Sequence, residues 1–207
     1  MIMKTLAAAV VAVMLWPGET LAQKVVDYKG RQIRVAAGEA SARCLALLQK
    51  AIDMTAELAP KQKALSAEVK DLRCGTIPDR LRTNAVEDNT IGVYTMDTPD
   101  SPMGYIRFPL EADRLSAAEV VLSLVGNGGY ARLHRSYLAA KARAAGDPAA
   151  KAEAERLRRI LTHADKAAML KNECELLANE RDAIKALDLG ERQLRSNSRQ
   201  MNSRGCG

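Results

Sequence analysis

Four cysteines are the residues in this chain whose type most directly suggests chemistry. They are Cys44, Cys74, Cys174 and Cys206, and no two of them form a Cys-x-x-Cys motif. An even number of cysteines in an exported protein favours disulfides, whereas the alternative is a set of free, buried thiols. The absence of the Cys-x-x-Cys spacing argues against a thiol oxidoreductase of that type.

The spacing of the cysteines favours pairing the first with the second and the third with the fourth. In one straight helix Cys44 and Cys74 would lie about 45 Å apart, whereas a disulfide requires Cα atoms within about 7 Å of each other. A helix-breaking residue lies near the middle of each interval, Pro60 in the first and Gly190 in the second. A chain that folds back at these points would form two helical hairpins, each closed by a disulfide. Four cysteines allow three pairings, and a single kinked helix over the first interval is an alternative.

A glycine-rich stretch could bind an anion. Gly126–Gly129 is expected to break a helix, and the helix that follows contains Arg132 and Arg135. Free amides such as those of Gly128 and Gly129, next to basic side chains, favour an anion. The stretch lacks the Lys-Ser/Thr ending of a phosphate loop and the spacing of a dinucleotide fingerprint. The alternative is a flexible joint between two helices.

The C-terminal tail is a second candidate for anion binding. Arg192, Arg195 and Arg199 would lie along one face of a helix, where they could meet anionic lipid head groups or envelope polymers. The alternatives are an ordinary solvated face and a tail that forms a loose strap.

The two histidines do not indicate a catalytic or metal site. His134 and His163 lie on different predicted helices, and no further ligands occur at a spacing suited to a metal. No nucleophile-elbow pattern is present. We expect exposed or partly packed histidines, and the sequence predicts no catalytic residue, no metal ion and no cofactor.

Short β-prone runs predict a small sheet. Residues 24–36 are typical of a β-hairpin with a tight turn at Lys29–Gly30. Two further runs, 91–96 and 104–109, are separated by a Pro- and Asp-rich turn. We expect them to share a sheet with the first hairpin.

Helical periodicity dominates the rest of the chain. One amphipathic helix is predicted between Gly38 and Gly75, interrupted at Pro60. Ser116 opens a helix that is expected to run to Val125 and, after the glycine-rich stretch, to resume at Tyr130.

The clearest boundary is at Gly146, which ends one helix. Asp147 can cap the next helix, and Pro148 is favoured at its first position. A single long helix is predicted from there to about Leu189, with an apolar stripe suited to an antiparallel pair or a coiled coil.

The N-terminus has the order of a cleavable signal peptide. Lys4 precedes an apolar run from Leu6 to Trp16, and cleavage is predicted after Ala22. The alternative, a membrane anchor, would need about 20 apolar residues, and this run has about half of that length. We therefore predict a periplasmic or secreted protein with a signal peptide (1–22), a segment combining the β-hairpins with the first helical hairpin (23–112), and a long-helix hairpin with a basic tail (113–207).

Composition narrows the classes of function. Only 3% of the residues are aromatic, which suits helix packing better than a deep aromatic-walled pocket. The net charge of +6 is mild for this length and argues against specific nucleic-acid binding. The sequence predicts a mainly α protein of disulfide-stapled helical hairpins, or an elongated bundle, with minor β-hairpins.

Three functions remain as hypotheses. The first is a non-enzymatic protein that binds partner proteins in the cell envelope, with oligomerisation through the long helix as one form of it. The second is binding of an anionic polymer or a membrane surface through the basic tail. The third is a hydrolase with a dispersed site, which predicts a deep pocket lined by His134 or His163 and a carboxylate.

Overall fold

The computed structural model describes residues 24–75, 93–95, 104–109 and 115–206. The predicted signal peptide and the whole of the predicted turn between the last two strands (97–102) lie outside these residues. Within them the protein is mainly helical, with a small mixed sheet. The strands are β1 (Lys24–Tyr28), β2 (Arg31–Val35), β3 (Asp71–Cys74), β4 (Val93–Thr95) and β5 (Tyr105–Phe108). The helices are α1 (Glu39–Met54), α2 (Pro60–Ala67), α3 (Ala117–Arg143), α4 (Pro148–Leu161), α5 (Lys166–Ala186) and α6 (Gly190–Ser203), with a short 3₁₀ turn at Thr55–Glu57.

The strands form one sheet in the order β1-β2-β3-β5-β4. The two outer pairs are antiparallel, whereas β3 runs parallel to both β2 and β5. Lys29 and Gly30 both have positive φ, at 47° and 76°, as a two-residue hairpin turn requires. The predicted first hairpin and its shared sheet with the second pair of strands are confirmed.

The central strand β3 corrects the prediction of a helix up to Gly75. Glu68 ends α2, and Asp71–Cys74 then lies between two parallel neighbours with every residue buried. A short apolar run such as the one around Leu72 fits a helix and a buried strand equally well. Pairing with β2 and β5, both distant in sequence, decides the outcome.

The core lies between the sheet and the helices. Helix α1 packs against β2 and β3, and α3 packs against α1 and α2. One cluster of buried side chains includes residues of β2, β3, β5, α1, α2, α3 and α5, with Phe108, Ile33 and Leu48 among its largest members. This cluster therefore crosses the segment boundary predicted near residue 112.

Helix α3 is continuous through the glycine-rich stretch, where a break was predicted. A Cβ atom at Gly126 would collide with the Glu180 side chain, one at Gly128 with the main-chain carbonyl of Leu65, and one at Gly129 with Leu176. Glycine is unfavourable in a helix by about 1 kcal/mol. Here its lack of a side chain allows α2 and α5 to approach α3 closely, and this packing outweighs the low helix propensity.

The single long helix predicted after Pro148 is two helices, α4 and α5. His163 has φ of 60°, its amide donates to the Ile160 carbonyl, and the Ala164 amide donates to the Arg159 carbonyl. This is a Schellman ending, and Asp165 then caps α5 by accepting from the Ala168 amide. The same ending closes α5 at Asp188, with φ of 48°. Glycine usually marks such endings, so a histidine and an aspartate leave little sequence signal.

Replacing either residue with glycine should stabilise the protein. His163→Gly and Asp188→Gly relieve a left-handed conformation that costs an L-residue about 1–2 kcal/mol, partly offset by the greater entropy of glycine in the unfolded chain. We expect each variant to raise the free energy of unfolding by about 0.5–1 kcal/mol in urea titrations. Thr162→Gly, at φ of −93°, is the matched control and should lower it. Equal effects at positions 162 and 163 would contradict the explanation.

Candidate functional site

The structure contains the disulfides Cys44–Cys74 and Cys174–Cys206, with Cα atoms 6.2 and 5.3 Å apart. This is the pairing that the spacing favoured. The first disulfide joins α1 to strand β3, because Cys74 lies in the sheet and not on the returning arm of a helical hairpin. The second joins α5 to the residues that follow α6.

A polar pocket of about 140 Å³ lies between α3, α5 and α6, beside the second disulfide. Arg204 forms an ion pair with Glu173, and the Tyr130 hydroxyl donates to Glu173 Oε1 at 3.5 Å. Burial raises the pKa of Tyr130 to about 12. The remaining lining residues are Gly126, Asn127, Leu176, Leu177, Glu180 and Gln200.

Glu180 is a second glutamate of this pocket, and its carboxyl has a raised pKa. Burial raises the pKa of its carboxyl to about 7, against a smaller lowering by Arg204. Its side chain packs over Gly126, where any Cβ atom would displace it. Within the described part of the chain, Glu180 makes neither a hydrogen bond nor an ion pair.

The second pocket, of about 310 Å³, is lined by Arg181, Ser198, Met201, Asn202 and Cys206. The Nε atom of Arg181 is buried and has no hydrogen-bond partner. Both pockets therefore share a wall made by the end of α6 and the residues that follow it.

The predicted anion site at the glycine-rich stretch lacks the free amides on which it depended. Gly128 and Gly129 are buried inside the continuous helix α3. Arg135 forms an ion pair with Glu68, and Arg132 Nη2 lies 3.9 Å from Glu175 Oε1. These two arginines connect α3 to α2 and α5.

The C-terminal arginines do share one helix. Residues Gly190–Ser203 form α6 and not a loose strap. Leu194 and Met201 pack inward, and the side-chain Nδ2 of Asn197 donates to the Leu177 carbonyl at 3.0 Å. We call the three exposed side chains of its outer face, Arg192, Arg195 and Arg199, the arginine strip.

One member of the strip has an acidic partner. Arg195 Nη1 lies 3.5 Å from Glu191 Oε2, and both side chains are exposed. Arg192 and Arg199 form no ion pair with any residue that the structure describes.

His134 is buried, which corrects the expectation of an exposed or partly packed histidine. It is 1% exposed, its Nδ1 lies 3.2 Å from the Tyr94 hydroxyl oxygen, and its ring stacks on Tyr137 at 6.4 Å between centroids. His163 is exposed in the turn between α4 and α5. Neither histidine lines either of the two pockets above. Among the described residues, no group of three or more His, Cys, Asp and Glu side chains could hold a metal ion.

Three arginines align across the sheet, a feature that sequence analysis missed. Arg34, Arg73 and Arg107 are in register on the parallel strands β2, β3 and β5. Asp71 lies beside them, with its Oδ2 atom 3.3 Å from Arg34 Nε and 2.9 Å from Arg73 Nη2. The Arg73 guanidinium stacks on Tyr105 at 3.7 Å.

We call Arg34, Arg73 and Arg107 the arginine row. A repeated triplet in the sequence marks its three positions. Each arginine stands between two apolar residues, in Ile33-Arg34-Val35, Leu72-Arg73-Cys74 and Ile106-Arg107-Phe108. The apolar neighbours point into the core and the arginines to the opposite face.

Comparison with protein-family models, with curated proteins and with solved structures finds no match to this chain. None of the helices described here combines the length and apolar character needed to cross a membrane.

Proposed function

We propose that this chain is an exported, non-enzymatic protein of the cell envelope, periplasmic or secreted, that acts by binding other proteins. The observation that carries the proposal is the arginine strip on α6, a row of exposed cations on a helix that a disulfide ties to α5. Two disulfides suit an oxidising compartment, as does the signal-type N-terminus.

In this proposal α5 and α6 act as a stapled helical hairpin at the C-terminal end of the molecule. A crosslinked helix pair presents its side chains with little freedom, which reduces the entropy that binding would cost. Three arginines are enough to match an acidic patch on a protein, and charge complementarity of this kind mainly sets partner choice and association rate.

Anionic polymers and membrane surfaces are the competing ligands of the same strip. A polyanion surface is usually met by a broad cluster of basic residues. The strip has three arginines, with Glu191 on the same helix, and α4 carries the paired charges Glu153–Arg156 and Glu155–Arg158. This mixture of signs favours a protein partner.

The test places a photo-crosslinking residue at exposed Ser196, between the arginines, in protein exported to the envelope. We expect discrete protein adducts with the wild-type strip. Reversing the strip by Arg192→Glu, Arg195→Glu and Arg199→Glu should reduce these adducts about tenfold, because each reversal turns attraction into repulsion. Adducts are quantified by mass spectrometry.

A matched control changes the net charge equally at another place. Lys151→Glu, Arg159→Glu and Lys166→Glu alter three exposed side chains of α4 and α5 that form no ion pair within the described residues. This variant should keep the adducts. Equal loss in both triple variants, or salt-sensitive binding to anionic vesicles without protein adducts, would contradict the proposal and favour the polymer or lipid alternative.

A further inference from the structure

The pocket between α3, α5 and α6 holds the Glu180 carboxyl, which forms no ion pair with any residue in the described part of the chain. Arg204, the one cation among the described residues that line this pocket, is already paired with Glu173. Glu180 lies on the same face of α5, two turns further on, and makes no ion pair with a described residue. A carboxylate removed from water without a partner is costly, and a cation beside it offsets that cost.

The rest of the lining suits a cation on an apolar stem. Asn127 uses its amide NH₂ group to donate to the Ser123 carbonyl and hydroxyl, which leaves its carbonyl oxygen as an acceptor. Tyr130 and Gln200 add further oxygens, and Leu176 and Leu177 supply apolar wall. Several acceptors and one unpaired carboxylate match the three donors of a primary ammonium group.

We propose that this pocket binds one alkylammonium group, with the Glu180 carboxylate as its counter-ion. In the proposed function, on which this identification rests, the alkylammonium group belongs to a lysine side chain of the partner protein. A free alkylamine has the same chemistry and is the other source.

The proposal makes binding depend on pH. Among the described residues, the charged or titratable groups that line the pocket with Glu180 are Tyr130 from α3, Glu173 from α5 and Arg204 after α6. Burial raises the pKa of the Glu180 carboxyl to about 7. An ammonium ion should therefore bind about tenfold more tightly at pH 8 than at pH 6, because the carboxyl is mostly protonated at the lower pH.

The experiment uses the full, disulfide-bonded protein and three small probes. These are n-butylammonium, Nα-acetyl-lysine N-methylamide and its neutral norleucine analogue, each followed by amide chemical shifts. At pH 8 we expect both ammonium probes to shift amides around Tyr130 and Glu180, and the norleucine probe to have no such effect. Glu180→Gln should weaken ammonium binding at least tenfold and abolish its pH dependence, since the amide carries no charge.

Glu175→Gln is the matched control, because Glu175 is an exposed glutamate of the same helix outside the pocket. It should bind as the wild type does. The urea midpoint checks the folding of Glu180→Gln. Because the pKa of Glu180 is higher in the folded than in the unfolded protein, its contribution to the free energy of unfolding falls as the pH rises from about 4.5 through about 7. The midpoint of the wild type should therefore fall relative to that of Glu180→Gln between pH 5 and pH 8.

Equal binding of the norleucine probe, unchanged binding by Glu180→Gln, or no ammonium binding at pH 8 would overturn the proposal. Tighter binding of the lysine probe than of butylammonium identifies a peptide source, and equal binding identifies a free amine. Both results support the pocket. The arginine strip does not line this pocket. Failure of the crosslinking experiment would therefore not affect the binding measurements with the three small probes.

Discussion

Asp71→Asn should lower the free energy of unfolding by about 3 kcal/mol, because it removes the carboxylate shared by two arginines of the sheet. Asp71 is 6% exposed and Arg73 is 7% exposed. The substitution preserves shape but removes the negative charge with which Arg34 and Arg73 both pair. Urea unfolding of the disulfide-bonded protein measures the change.

Asp53→Asn is the control for this prediction. Asp53 also accepts a hydrogen bond, from the Tyr28 hydroxyl, and forms an ion pair with Lys29. Both interactions lie on the exposed surface. Exposed ion pairs contribute little to stability. A loss at position 71 no larger than the loss at position 53 would show that the arginine row does not depend on this carboxylate.

Local chemistry made several elements of the fold predictable. The Ser116 capping box forms as expected, with the Glu119 amide donating to Ser116 Oγ at 3.2 Å and the Ser116 amide donating to Glu119 Oε2 at 2.8 Å. Asp147 caps α4 by accepting from the Ala149 amide. Each of these signals lies within a few residues of the bonds it predicts.

Features that depend on distant residues were not predictable in the same way. The Gly126–Gly129 stretch has the composition of a joint, but Leu65, Leu176 and Glu180 approach its glycines too closely to leave room for a Cβ atom. Strand β3 likewise forms because it pairs with β2, which precedes it in the sequence, and with β5, which follows it. A local propensity is a weak preference that tertiary packing can override.

The pocket was missed for a related reason. In the sequence Glu173 and Glu180 are interleaved with basic residues along one helix, a pattern typical of solvated surface charges. Arg204 and Tyr130 come from elements distant in sequence, and burial between α3 and α6 is what alters Glu180. Gly126 lies four residues before Tyr130 in the sequence. In the structure, a side chain at this position would displace the Glu180 carboxyl.

The two disulfides should differ in what they stabilise, although their loops are almost equal, with separations of 30 and 32 residues. Restriction of the unfolded chain predicts about 3.7 kcal/mol for either crosslink. Replacing Cys44 and Cys74 with alanine also removes two buried sulfur atoms from the main core, where Cys44 is 0% exposed. We expect this variant to lose about 4–5 kcal/mol and in part to be unfolded at 37 °C.

The C-terminal disulfide provides the comparison. Cys174 and Cys206 are half-buried, and the crosslink fastens α6 to the surface of α5. Alanine at both positions should mainly free α6, so its amides should exchange with solvent much faster while those of β3 and α1 stay protected, because local opening can occur below the global free energy. Hydrogen exchange followed by mass spectrometry separates the two outcomes. Uniform loss of protection in both variants would mean that α6 unfolds only together with the core, and the stapled helix pair would then be part of one cooperative unit.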